Sequence, residues 1–178
     1  PSQRAKENRK FIYVLRRKGA RAKDYETAIM WLIDCWLIHK VSRITTPNLP
    51  LKAYEDLKAF KLYLVDIGLL GALAGLKQSA LLDGNDMFVE FKGALTEQYV
   101  LQQLVTDPDI GIYYYTNNRG NCEIDFLIDD GDKVIPLEVK AELNLKAKSL
   151  KTYREKYSPE VAVRTSMADY KENDGLVD

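Results

Sequence analysis

The sequence predicts an α/β (α+β) protein built from two modules. The first, residues 1–55, is a helix, a turn, a second helix and a short β extension. The second, residues 56–178, contains an α–β–β–β–α–β unit. Three observations carry this prediction. Apolar residues recur at helical spacing within 2–18 and again from Tyr25 to Leu37, followed by the β-rich run Ile38, Val41 and Ile44. A long helical stretch, 87–106, precedes three strand-like segments at 112–116, 122–129 and 133–141. The last two are joined by Asp129-Asp130-Gly131-Asp132, a strong hairpin signal.

The first helix, residues 2–18, turns Phe11, Val14 and Leu15 to one side and basic residues to the other. Gly19 follows it at a position that favours a left-handed residue. Asp24 reads as the N-cap of the next helix. Tyr25, Ile29, Leu32 and Trp36 form that helix's apolar stripe, widened by Ile33 and Leu37, with Trp31 and Trp36 expected in packed positions. Pro47, Asn48 and Pro50 break the chain after the β extension. This order is that of a winged helix-turn-helix.

The second module begins with a strand at 60–66 and a short helix at 67–76. After the hairpin come a helix at 144–157, with Leu145, Leu150 and Tyr153 as its contacts, and a short strand at 161–163. Residues 171–178 end without a predicted element, and the chain starts at Pro1 in mid-pattern, so a segment of a longer protein is expected.

Lysine plus arginine equals aspartate plus glutamate at 26 each, but the charge is unevenly spread. Arg4, Lys6, Arg9, Lys10, Arg16, Arg17, Lys18, Arg21 and Lys23 face only Glu7 among residues 1–23, so this end is strongly basic and the remainder equally acidic. A basic end suits a polyanion such as DNA, although a solvated helix surface has the same composition. Cys35 and Cys122 form no CxxC pair, which excludes a disulfide framework or cysteine zinc site and favours a cytoplasmic location. The apolar run Ile67–Leu76 is too short to span a bilayer, so no membrane partner is expected. With one histidine, His39, placed near a helix end, no His-based metal site or Ser-His triad can form. Tyr113, Tyr114 and Tyr115 fit sheet packing better than base stacking.

The chemistry concentrates in the hairpin. Strand periodicity places Glu123 and Asp125 on one face, and Glu138 and Lys140 on one face of the next strand. By the same alternation Leu127 and Asp129 join the first pair, while Ile124, Phe126, Leu137 and Val139 point the other way. On the preceding helix Glu97 has Gly93, Ala94, Val100 and Leu101 as same-face neighbours, so its carboxylate is expected in buried surroundings. A buried carboxylate needs a cation, a metal or an ion-pair partner. Mg²⁺ takes oxygen ligands, commonly one or two carboxylates plus water. Asp125 and Glu138 are therefore the expected Mg²⁺ ligands, Glu97 a third or water-mediated acid, Lys140 the group that positions water, and Glu123 an accessory. Such a centre suits metal-assisted phosphodiester hydrolysis. The bland alternatives are a Lys140 ion pair with Glu138 or Asp125, or a hairpin facing solvent.

Asp125, Glu138-Val139-Lys140 and the upstream helix acid, in this order of elements, resemble the PD-(D/E)XK nuclease superfamily with its αβββαβ core. A second resemblance covers nearly the whole chain. It runs through Pro1-Ser2-Gln3, Lys18-Gly19-Ala20-Arg21, Tyr25-Glu26, Ala28, Trp31-Leu32, Pro50-Leu51, Phe60-Lys61-Leu62-Tyr63, Asp66, Gly68-Leu69-Leu70, Gly93, Glu97, Glu123-Ile124-Asp125-Phe126 and Pro136-Leu137-Glu138-Val139-Lys140. Together these resemble the C-terminal part of a prokaryotic family of AAA-type ATPases. The resemblance implies a P-loop module ahead of this segment, then a winged helix, then an uncharacterised domain of nuclease-like fold. It implies architecture more than activity. No GxxxxGK[ST] occurs here, since Leu76 separates Gly75 from Lys77, so this segment is not expected to bind ATP.

Three functions remain open on sequence. The first is a Mg²⁺-dependent DNA endonuclease. The second is a non-catalytic nucleic-acid-binding module using Arg4, Arg9, Lys10, Arg16, Arg17, Lys18, Arg21, Lys23 and Arg119. The third is a protein-interaction or regulatory module of the ATPase, whose partner could be a second copy or another protein.

Overall fold

The computed structural model describes residues 22–76, 86–117, 120–141 and 147–178, with side chains left aside at 22–24 and 86–90. Four α-helices are described: α1 (Ala22–Asp34), α2 (Ile67–Ala74), α3 (Asp86–Leu104) and α4 (Lys148–Tyr157). They accompany strands β1 (Ile38–Ile44), β2 (Glu55–Leu64), β3 (Gly111–Thr116), β4 (Glu123–Asp129), β5 (Val134–Val139), β6 (Ala162–Thr165), β7 (Glu172–Asn173) and β8 (Leu176–Val177). All eight strands form one mixed sheet in the order β2-β1-β3-β4-β5-β6-β8-β7. No helix among the described residues is long and apolar enough to cross a membrane.

The sheet corrects the expected placement of the β extension. β1 pairs antiparallel with β2 and parallel with β3 through Arg43–Tyr114 and Ile44–Tyr115. The boundary expected after residue 55 therefore falls at the first residue of β2, inside this sheet. The helix expected at 2–18 lies outside the described residues. Asp24 lies inside α1 instead of capping it, and α1 ends at Asp34. Trp36 then adopts a left-handed conformation with φ 57°, which takes Leu37 off the helix and starts β1. Trp31 and Trp36 are exposed, at 70% and 76%, not packed. His39 sits in β1, beyond the end of α1, and burial lowers its pKa.

The chain end also differs from expectation. β8 adds parallel to β6 and pairs with β7. Arg164 on β6 grips Asp178 with two hydrogen bonds of 2.6 Å. No apolar periodicity marks so short a hairpin, because the partner strand supplies its order.

α3 covers one face of the sheet, where Leu101 packs with Val41, Tyr63, Tyr114, Phe126, Ile128 and Leu137. α4 covers the other through Leu150 and Tyr153, three residues apart on one helix face, which meet Ile44, Tyr115, Ile124 and Leu127. Each such side chain withdrawn from water contributes roughly 1.5–3 kcal/mol. α1 packs Ile29 against Ile38 and Phe60. Asp66 caps α2 by accepting the Leu69 N–H at 2.7 Å, and Gly75 ends it with φ 71°. The Gly71–Gly75 stretch is thus a helix and its cap.

A bulge in β4 changes the predicted faces. Tyr113 pairs with Leu127, but Tyr115 pairs with Ile124, so Asp125 and Phe126 together stand opposite Tyr114. Ile124 and Leu127 consequently share the α4 side, while Phe126 and Ile128 share the α3 side. The expected grouping of Leu127 with Glu123 and Asp125, and of Ile124 with Phe126, does not hold.

Candidate functional site

α3 is fixed to the end of β2 before any catalytic group is considered. The Gln98 side chain accepts the Leu64 N–H at 3.0 Å and donates to the Leu64 carbonyl at 2.6 Å, imitating a neighbouring strand. One turn on, Gln102 accepts the Ile67 N–H at 3.1 Å. This docking sets Glu97 over Lys61 and Tyr63, which alternate with Phe60 and so share one face of β2. Glu97 is fully buried, accepts a hydrogen bond from the Tyr63 hydroxyl, and lies 3.5 Å from the Lys61 ammonium.

Lys61 is the centre of the cluster, and it escaped the sequence reading. Its side chain is fully buried, with Nζ 2.8 Å from Glu123 Oε1 and 4.9 Å from the centre of the Tyr114 ring. Burial alone would lower its pKa, but Tyr63, Asp125 and Glu123 outweigh that effect and the net direction is upward. The 2.8 Å contact with Glu123 is that of an ammonium–carboxylate pair. The available signal for Lys61 was its period-two spacing to Tyr63 in a strand that ends in a capped helix. A lone lysine in a strand ordinarily reads as a solvated residue.

The hairpin supplies the remaining charges. The β4–β5 ladder runs to Phe126–Leu137. Beyond it, Asp125 Oδ2 accepts the Val139 N–H at 2.9 Å. Glu138 is buried, and Lys140 Nζ lies 2.6 Å from its Oε1. Its Oε2 is enclosed with no hydrogen-bond partner among the described residues. Burial first, then the Asp125 charge, raise the Glu138 pKa, while Lys140 and Lys61 oppose the shift. Buried Cys122 is also pushed upward, by burial and then by Glu138.

Glu97, Glu123, Asp125, Glu138 and Lys140 thus share one charge network, with Lys61 in its middle. Glu97 is held by Tyr63 and Lys61. Among the described residues no three acidic, histidine or cysteine side chains gather closely enough to hold a metal ion. Asp125 and Glu138 still fit a divalent cation: the Asp125 charge acts on Glu138, and the buried Glu138 Oε2 finds no hydrogen-bond partner among the described residues. Glu123 and Lys140 are 34% and 27% exposed and mark the side open to solvent. Two clefts lie elsewhere, one of about 710 Å³ beside Leu150, Arg154 and Leu176, the other of about 600 Å³ beside Ile33, Trp36 and Val105.

Several expected contacts lie outside the described residues. These are Arg4, Arg9, Lys10, Arg16, Arg17, Lys18, Arg21 and Arg119, and also the side chain of Lys23. Tyr114 and Tyr115 are buried in the sheet and present no face for a base.

Residues 92–177 match a family model described as "Domain of unknown function (DUF4143)". Residues 3–80 match a second, described as "Domain of unknown function (DUF8612)". No curated protein and no solved structure matches the chain. Lys61 falls within the second matched region and Glu97, Glu123, Asp125, Glu138 and Lys140 within the first, so the charge network joins the two.

Proposed function

We propose that this chain is the C-terminal part of an AAA-type ATPase and that its hairpin is a PD-(D/E)XK-like centre for Mg²⁺-dependent hydrolysis of DNA phosphodiesters. The observation that carries the proposal is the Asp125–Glu138 pair. Two carboxylates whose charges oppose each other, one with a buried oxygen that has no hydrogen-bond partner among the described residues, are relieved by a nearby cation. A bound Mg²⁺ would lower the pKa of water and polarise a phosphoryl oxygen. Asp125 and Glu138 would hold it, completed by water and a phosphate oxygen. Val139 fixes Asp125 through its N–H, and the partly exposed Lys140 can orient a water beside Glu138. Glu97 does not ligate the ion in this reading; it anchors Lys61. The basic residues before α1 would hold the DNA backbone.

The test is cleavage of supercoiled plasmid with Mg²⁺ or Mn²⁺. Activity lost in both Asp125→Asn and Lys140→Ala, with both variants folded, supports the proposal. No cleavage by the wild type under either ion rejects it.

Lys61 favours a second reading, a non-catalytic DNA-binding or regulatory module in which a protein ammonium replaces the metal. This reading expects binding to DNA or to the ATPase module with no divalent-ion requirement. Retarded DNA migration in chelator, unchanged by Asp125→Asn, would support it.

A further inference from the structure

The Lys61 ammonium occupies the position of a cation, not of a surface lysine. Two carboxylates approach it, at 2.8 Å from Glu123 and 3.5 Å from Glu97, and its side chain is fully enclosed. We propose that Lys61 is a built-in cation that fills a second ion site between Glu97 and Glu123, and so limits the cluster to one exchangeable divalent ion at Asp125 and Glu138. The part concerning Asp125 and Glu138 rests on the hydrolytic reading above; the part concerning Lys61 does not.

Charge balance supports the assignment. Four carboxylates (Glu97, Glu123, Asp125 and Glu138) face two ammonium groups (Lys61 and Lys140). Fully ionised, the cluster carries two net negative charges, which one Mg²⁺ cancels. A second ion beside Lys61 would leave two surplus positive charges, at a high desolvation cost, whereas with a neutral side chain at position 61 two ions leave one. Without Lys61 the deficit rises to three, and the two acids it holds are left facing each other. The same ammonium restrains geometry. Lys61 pulls Glu97 and Glu123 to the β2 side, while the Val139 N–H and Lys140 hold Asp125 and Glu138 at the hairpin. Lys61 is thus a positioning residue, acting through the acids it holds.

The experiment counts bound Mn²⁺ per chain by calorimetric titration near neutral pH. The wild type is expected to bind one ion. Lys61→Met, which removes the ammonium and leaves an unbranched side chain one atom shorter, is expected to bind one more. Lys61→Met combined with Glu123→Gln should return to the wild-type count, and Lys61→Arg should keep it. An unchanged count in folded Lys61→Met overturns the inference, as does a wild type that binds two ions. A wild type that binds none, with Lys61→Met binding one, upholds the built-in cation while rejecting the hydrolytic reading. If Lys61→Met fails to fold with and without Mn²⁺, nitrogen NMR of Lys61 in the unaltered protein decides. An ammonium signal persisting to alkaline pH supports the inference, and a neutral amine near pH 7 overturns it.

Discussion

The Asp125 carboxylate accepts the Val139 N–H at 2.9 Å where the β4–β5 ladder stops at Phe126–Leu137. One side chain thereby extends the pairing of two strands and presents its charge to Glu138. Asp125→Ala leaves the Val139 N–H without this acceptor and should destabilise the fold by about 1–3 kcal/mol. Asp125→Asn keeps an acceptor and should recover most of that loss. Urea unfolding of both variants checks this, and equal losses would show that the bond to Val139 carries no weight.

Removing one member of a buried ion pair strands the other. Lys61→Met should therefore cost about 3–5 kcal/mol. Adding Glu97→Gln removes part of the stranded charge, so the double variant should lose less than the two single losses combined. A double-mutant cycle by urea denaturation reads the coupling, and strict additivity would contradict the contact.

Glu138 gives a pH dependence of defined sign. Its folded pKa lies above the ordinary 4.5, so the folded state holds its proton longer than the unfolded chain. Its contribution to stability is full below pH 4.5 and is lost as pH rises through the elevated value. Glu138→Gln should thus be more stable than the wild type at neutral pH, with the difference shrinking on acidification. Cation affinity runs the opposite way, because binding needs the carboxylate, and should fall as pH drops through the same window. Thermal melts across pH, with and without Mn²⁺, test both directions.

Gly175 precedes β8 with φ 69°, and a Cβ there would stand 2.5 Å from the Glu160 carbonyl oxygen. Gly175→Ala should cost roughly 1–3 kcal/mol through backbone strain. The loss should appear as faster amide exchange in β6 and β8. Protection unchanged from the wild type would refute it.

The order of elements from α3 to β6 was legible because each segment carries its own periodicity. Glu97, Asp125, Glu138 and Lys140 were likewise visible, as charges interrupting apolar patterns. What escaped was set by partners distant in sequence. The β4 bulge depends on pairing with β3, and no local signal places Asp125 and Phe126 opposite one residue. β1 reads as an appendage of α1 until Tyr114 and Tyr115 pair with it. Lys61 looks like a surface lysine until Gln98 docks α3 over its strand. Trp36 fits a helical stripe that the left-handed turn at that residue cuts short.

The position of β1, between β2 and β3, has a practical consequence for anyone dividing this polypeptide. A fragment beginning near residue 92 would keep four acids and Lys140 but forfeit the Lys61 ammonium that pairs with Glu97 and Glu123, while baring the β3 edge that β1 protects. A fragment ending near residue 80 would enclose a lysine with neither counter-charge. The two stretches are electrically complementary halves of a single interior, and neither should be a soluble, well-folded substitute for the whole.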